Sequence, residues 1–193
     1  MKSVFTFSAV AICFAVAPNT CFALWDVVIL TKEDAKQLGM EVRTTAGRAK
    51  SVHVALECGL PIGGWVPKGR GAEDGRIPER YTGLREAESS DPAVRTRLNV
   101  RDSDATLIVS HGPLAGGSSL TMEEARRAGK PVLHVDLSRR RLDEAAVDVG
   151  EWIAAVAPAT LNVAGPRASG DPAIGGAVAA LLRAVLRRAP GGE

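Results

Sequence analysis

Apolar and polar positions are distributed unevenly along the chain. Val4 to Ala17 is apolar except for Thr6 and Ser8. Residues 41–51 are polar, and residues 66–92 are rich in glycine, proline and charge. From Pro92 onward, short apolar runs alternate with amphipathic stretches. Ala105–Ser110 (ATLIVS), Val132–Leu137 (VLHVDL) and Thr160–Val163 have the length and character of strands covered on both faces. Between them the spacing predicts helices over Pro92–Asn99, Thr121–Ala128 and Leu142–Val156. Thr121 and Glu124 stand at capping-box spacing, and Gly129 closes that helix. A last helix opens with Asp171 as cap and Pro172 at its first position. Its stripe is Ile174, Ala177, Val178, Leu181, Leu182 and Val185. Upstream, the pattern predicts a strand over 27–30, helices over 32–38 and Lys50–Cys58, and a strand over Leu60–Trp65; residues 66–92 read as one long loop. Strand, loop and helix in regular succession predict an α/β fold: a three-layer sandwich around a mostly parallel sheet.

Composition divides this picture in two. The chain has 193 residues, 46% hydrophobic and 24% charged, which suits one domain with a buried core. All four phenylalanines (Phe5, Phe7, Phe14, Phe22) and two of the three cysteines lie in the first 22 residues. That start reads as a secretory signal: Lys2, the apolar run, then Cys21 and Ala23 as small residues at the −3 and −1 positions. The alternative is a buried first strand. Residues 1–49 are therefore set apart from a domain over 50–190. The net charge of +2, without a basic stripe, argues against a nucleic-acid partner. The apolar run is too short for a comfortable membrane span, so no membrane partner is expected. Three cysteines make neither a disulfide framework nor a zinc spacing. Arg139, Arg140 and Arg141 read as a solvated loop.

Candidate chemistry sits where the strands end. In open α/β sheets ligands bind outside the carboxyl ends of the strands. Two glycine-rich loops arrive there, His111 to Ser118 and Ala164 to Ser169. Gly112, Gly116, Gly117 and Gly165 would let an anion approach the backbone, and Ser118 and Thr121 add hydroxyls. Arg167 adds a planar cation suited to phosphate or carboxylate. The same residues would also serve as tight turns with ordinary caps. Asn99 and Asp104 precede the first strong strand and are candidates for contacting a sugar or base; Asp104 could equally cap a turn. His53, His111 and His134 lack metal-like spacing, and His111 alone is placed for a site. Glu123 is a carboxylate near a helix start, where its ordinary role is to complement the dipole. There is no nucleophile elbow, Walker A loop or dinucleotide fingerprint.

The stretch GLPIGGWVPKGR (59–70), then AEDGRIPERY (72–81), NVRDSDATLI (99–108), GPLAGGSSLT (112–121), GKPV (129–132) and LNVAGPRAS (161–169) resembles the molybdenum-cofactor carrier-like family. The likeness runs from about Val54 to the last helix. It implies a Rossmann-like domain related to the lysine-decarboxylase-like phosphoribohydrolases. The implied ligand is a small phosphorylated molecule, the molybdenum cofactor or another nucleotide-like or pterin-like compound, bound without chemistry of the protein's own. Phosphate would rest on Gly116, Gly117 and Ser118, with Arg167 and Gly165 closing the other side. The phosphoribohydrolases carry PGGxGTxxE. Gly116, Gly117 and Glu123 keep that outer spacing while Ser119 and Leu120 replace the inner Gly and Thr, leaving a nucleotide N-glycosidase as the alternative. Family members typically open with GGQTGxDR, where this chain has RTTAGRAK (43–50). The family's habit is cytoplasmic, the alternative being export on residues 1–23, as an exported domain with a degenerate site. A homo-oligomer stays open.

Overall fold

The computed structural model describes Ala11–Ile12 and residues 63–188, other than 73, 74, 80, 82 and 168. The elements expected over 27–30, 32–38 and 50–58, and the signal cleavage positions, lie outside the described residues.

The central sheet has four strands, β1 (Ala11–Ile12), β6 (Ala105–Ser110), β7 (Val132–Asp136) and β8 (Thr160–Ala164). Their order is β1-β8-β6-β7 and every pairing is parallel. Ala11 and Ile12, from the apolar run near the start, lie opposite Thr160 and Leu161. Before β6 come the short strands β2 (Gly64–Val66), β3 (Gly71–Ala72), β4 (Gly75–Arg76) and β5 (Leu84–Glu86). The described helices are α1 (Pro92–Arg101), α2 (Gly116–Arg127), α3 (Leu142–Val156) and α4 (Ile174–Arg188).

Strand order determines the layers. From β6 the chain crosses through α2 to β7, its neighbour on one side. From β7 it returns through α3, past β6, to β8 on the other side. Right-handed crossovers in opposite directions put their helices on opposite faces. α1 packs with α2, and α3 packs with α4. The result is an α/β, Rossmann-like sandwich of three layers, as the pattern predicts.

The two helical layers differ in what they bury. α3 buries Ala145, Ala146, Val149 and Ile153, and α4 buries Ile174, Val178, Leu181, Leu182 and Val185. A fully buried leucine or isoleucine of this kind contributes about 1.5–3 kcal/mol. α1 instead buries Arg95, Thr96, Asn99 and Val100, and α2 buries Ser118, Thr121 and Ala125. Between the layers, β6 is buried at all six positions.

Helix limits follow local chemistry. α1 is capped by Asp91, whose carboxylate accepts from Ala93 N–H at 2.9 Å, and Pro92 opens its first turn. At its other end Lys130 Nζ donates to the carbonyls of Val100 (3.0 Å), Ser103 (2.5 Å) and Arg101. A cation there satisfies carbonyls that the helix leaves open and complements its dipole. α3 spans the predicted residues and closes on Ala157 at φ +47°. Arg139, Arg140 and Arg141 are exposed, as expected, and pair with Asp136, Asp148 and Asp143.

Two helix starts correct the sequence reading. α2 begins at Gly116, five residues before Thr121, so Thr121 caps nothing; its hydroxyl donates to Gly117 O at 2.8 Å within the helix. α4 begins at Ile174, after a turn in which the Asp171 carboxylate accepts from Ala173 N–H at 3.1 Å. The stretch over 66–92 is also more ordered than a loop. β2 pairs with β5 and β3 with β4. Arg70 organises it. Its guanidinium is buried and donates to Ile77 O (3.0 Å) and Pro78 O (3.1 Å). The strand expected over 60–65 is seen as β2, ending at Val66.

Removing the Lys130 ammonium should leave the Arg101 and Ser103 carbonyls short of a donor, while that of Val100 keeps the Ser103 hydroxyl at 3.1 Å. Lys130→Met is expected to lower stability by roughly 1–3 kcal/mol, read as a lower urea midpoint at unchanged slope.

Candidate functional site at the carboxyl edge of the sheet

The loops after β6 and β8 leave neighbouring strands toward opposite faces, which makes the gap between them the topological switch point of the sheet. The loop after β6 is held by its neighbours. Gly112 N–H donates to Asp136 Oδ1, at the end of β7, at 2.7 Å. The Ser110 hydroxyl donates to Gly112 O at 2.7 Å. Gly112 has φ +90°, a conformation that favours glycine. His111 Nδ1 lies 2.7 Å from Asp171 Oδ2, in the loop after β8. Two carboxylates thus tie the ends of three strands together around His111 and Gly112.

Asp136 also accepts from Ser138, through its hydroxyl (2.7 Å) and its N–H (2.9 Å). The Ser138 hydroxyl, then the Gly112 N–H, bring its carboxyl down to about 2. His134 Nε2 lies 2.8 Å from Ser110 Oγ. Since the single Ser110 proton goes to Gly112 O, this nitrogen must be the donor. Burial lowers the His134 pKa against the opposing pull of Asp136.

The phosphate candidates fall as follows. Gly116 and Gly117 form the first two positions of α2 and are exposed. Ala115 supplies no side-chain cap. Gly116 has φ +53°, and a Cβ added at Gly117 would meet open space. Ser118, at the third position, is buried, and its hydroxyl has no hydrogen-bond partner. Ser118 N–H donates to Ala115 O at 3.2 Å. Gly165 is half-buried at the exit of β8. Arg167 is exposed in the same loop, with its carbonyl accepting from Gly170 and Asp171 N–H, both at 2.9 Å.

Two candidates are placed elsewhere. Asp104 stands at the amino end of β6, where its N–H donates to Thr160 O at 2.8 Å and its Oδ2 accepts from Thr160 N–H at 2.7 Å. Six residues of strand separate it from the loop at His111, roughly 20 Å, too far to share a nucleotide with that loop. Asn99 is buried, and both ends of its amide are bonded to Trp65: Oδ1 accepts from the Trp65 N–H (2.7 Å) and Nδ2 donates to its carbonyl (3.1 Å). Both residues hold the scaffold. Glu123 lies exposed in the second turn of α2. The adjacent Glu124 is ion-paired with Arg127 and Arg97, which hold its carboxyl below the usual range.

Asp136, Asp171 and Ser110 bracket the loop and escaped the sequence reading as site residues. Their signal was a polar residue ending an otherwise apolar strand, or one opening the turn before a helix. Another concavity, about 430 Å³ including space open to solvent, involves Trp65, Arg85, Asp102 and Thr160. There the Trp65 Nε1–H donates to Asp102 Oδ2 at 2.7 Å, and the Arg85 guanidinium sits 5.7 Å from the indole centroid. Among the described residues no group of His, Cys, Asp or Glu could hold a metal ion, and no helix is long and apolar enough to cross a membrane.

Residues 43–186 match the model of the circularly permutated YpsA SLOG family. The chain belongs to that family. A putative molybdenum carrier protein from Syntrophus aciditrophicus SB, known from a crystal structure, is 46% identical to this SLOG chain. The alignment covers 72% of this chain and 89% of that one, with a TM-score of 0.66. None of the curated proteins matches. This SLOG chain is accordingly molybdenum carrier-like in family and fold. The family match begins at Arg43, the first residue of the RTTAGRAK stretch.

The two titrating groups that brace the loop make stability depend on acidity. Lowering the folded-state pKa of His134 means that the unfolded chain binds its proton more readily. Its contribution is complete above the ordinary histidine value of 6.5 and is lost as pH falls. Asp136 contributes fully above 3.8, and this is lost as pH falls toward about 2. Melting temperature should therefore fall in two stages on acidification. His134→Gln should reduce the first stage and Asp136→Asn the second.

Proposed function

We propose that this chain binds a small phosphorylated ligand, nucleotide-like or pterin-like, at the switch point and performs no chemistry on it. The molybdenum cofactor falls in that class, and the family relation to a putative molybdenum carrier protein supports it as cargo. The observation that carries the reading is the start of α2. Its first turn has two exposed glycines, no side-chain cap, and a buried Ser118 hydroxyl without a partner. Exposed N–H groups at a helix start favour an anion, and the dipole adds to them. A buried hydroxyl left unpaired costs free energy that an acceptor oxygen would recover. Gly165 and Arg167 complete the site from the loop after β8, Arg167 as the charged donor.

The N-glycosidase alternative needs a carboxylate working on the sugar. Glu123 is exposed on α2 with no described partner that would set it for this role. We take the working compartment to be the cytoplasm, with neither nucleic acid nor membrane as a partner.

Calorimetric titration with a panel of nucleoside monophosphates tests the reading. Gly117→Val should abolish binding with an unchanged circular dichroism spectrum, because its side chain enters open space that a phosphate would fill. Arg167→Ala should weaken binding by roughly 1.5–3 kcal/mol, less at high salt. Ser118→Ala should weaken binding while leaving the unliganded fold at least as stable. Glu123→Gln should stay within about twofold of wild type. Equal binding by wild type and Gly117→Val would make the loop an ordinary turn.

A further inference from the structure

His111 has no part in holding a phosphate, yet it is oriented more firmly than a loop residue needs. A carboxylate can only accept, so the 2.7 Å contact with Asp171 Oδ2 puts the neutral ring's proton on Nδ1. Nε2 then carries a lone pair. The ring is about one-third exposed, at 32%. Asp171 is fixed in turn. Its other oxygen accepts from Ala173 N–H at 3.1 Å, and its own N–H donates to Arg167 O at 2.9 Å. On the backbone side, Gly112 is gripped by Asp136 and Ser110. An imidazole held through one nitrogen presents the other in a defined tautomer and direction. His134 is the contrast: its Nε2 is already engaged with Ser110.

We propose that His111 is a recognition residue, its Nε2 accepting a hydrogen bond from a ribose hydroxyl of the ligand, with Asp171 as the positioning residue. The inference rests on the phosphate reading above and narrows it to its nucleotide-like side, the ribosyl phosphates, rather than a pterin that lacks a ribose. A phosphate dianion offers only acceptors, so a lone pair beside it must serve another part of the molecule. In a nucleoside 5′-phosphate, the sugar hydroxyls are the donors on the group that carries the phosphate. The loop that begins with His111 ends on Gly116, so one short segment offers an acceptor for the sugar and N–H groups for the phosphate. A polar site that loses its hydroxyl partner discriminates against the analogue lacking it.

The test titrates the full chain with adenosine 5′-monophosphate and with its 2′,3′-dideoxy counterpart. Wild type should bind the first about tenfold tighter or more. In His111→Leu the two affinities should converge, while Asp171→Asn should keep a reduced preference. Nitrogen-15 spectra of the ring should show the Nδ1-protonated tautomer in wild type and a mixture in Asp171→Asn, a change that mere loosening of the loop would not produce. Equal binding of the two nucleotides by wild type overturns this assignment alone, as does an Nε2-protonated His111. Binding of neither nucleotide overturns both this assignment and the nucleotide-like form of the reading beneath it.

Discussion

The position of β6 is the constraint on which the molecule depends. With β7 on one side and β8 on the other, its neighbours must be reached by crossovers in opposite directions. That requirement puts α2 and α3 on opposite faces and buries β6 throughout. It also sends the chain away from β6 and β8 toward opposite faces. The loops there cannot pack against each other as a helix pair would. They are joined instead by polar side chains reaching across: Asp136 to Gly112, and Asp171 to His111.

The two helical layers divide the work. The α3–α4 side is apolar, with Leu181, Leu182 and Ile174 fully buried, and carries much of the hydrophobic stabilisation. The α1–α2 side buries polar groups that need partners: Asn99, Thr121 and Ser118 among them. Polar burial adds less stability than apolar burial and fixes geometry more tightly, because each bond has a direction. The Ser118 hydroxyl is one of the buried polar atoms left without an internal hydrogen-bond partner.

Much of the fold was legible because periodicity reports burial. Ala105–Ser110 and Leu142–Val156 were readable to the residue, one as a strand covered on both faces and one as an apolar stripe. The start of α2 is hidden because GGSSLT is poor in helix formers and Thr121 imitates a cap. The segment over 66–92 was unreadable for another reason. Its buried apolar residues, Val66, Ile77, Tyr81 and Leu84, are scattered without a period around Arg70, and nothing in hydropathy distinguishes a buried arginine from a solvated one. For the candidate site, the sequence places Gly112, Gly116, Gly117 and Ser118 after a strand, and the structure sets them at the exit of β6 and the start of α2. Asp104 and Asn99 precede β6 and so stand at its amino end, a strand's length from the glycine loop that follows it, because nearness along the chain is not nearness in space. Asp136 and Asp171 escaped because their roles depend on loops that meet only in three dimensions.

The Trp65–Asn99 contact joins parts of the chain that are 34 residues apart. A side-chain amide that takes both the N–H and the carbonyl of one residue does what a neighbouring strand would do. The Gly64–Glu86 strap is thereby coupled to α1 as a lever is to its axle. Lys130 grips the same end of α1, at Val100 and Ser103, so a displacement of the strap would pass through that one helix end directly to the turn that follows α2.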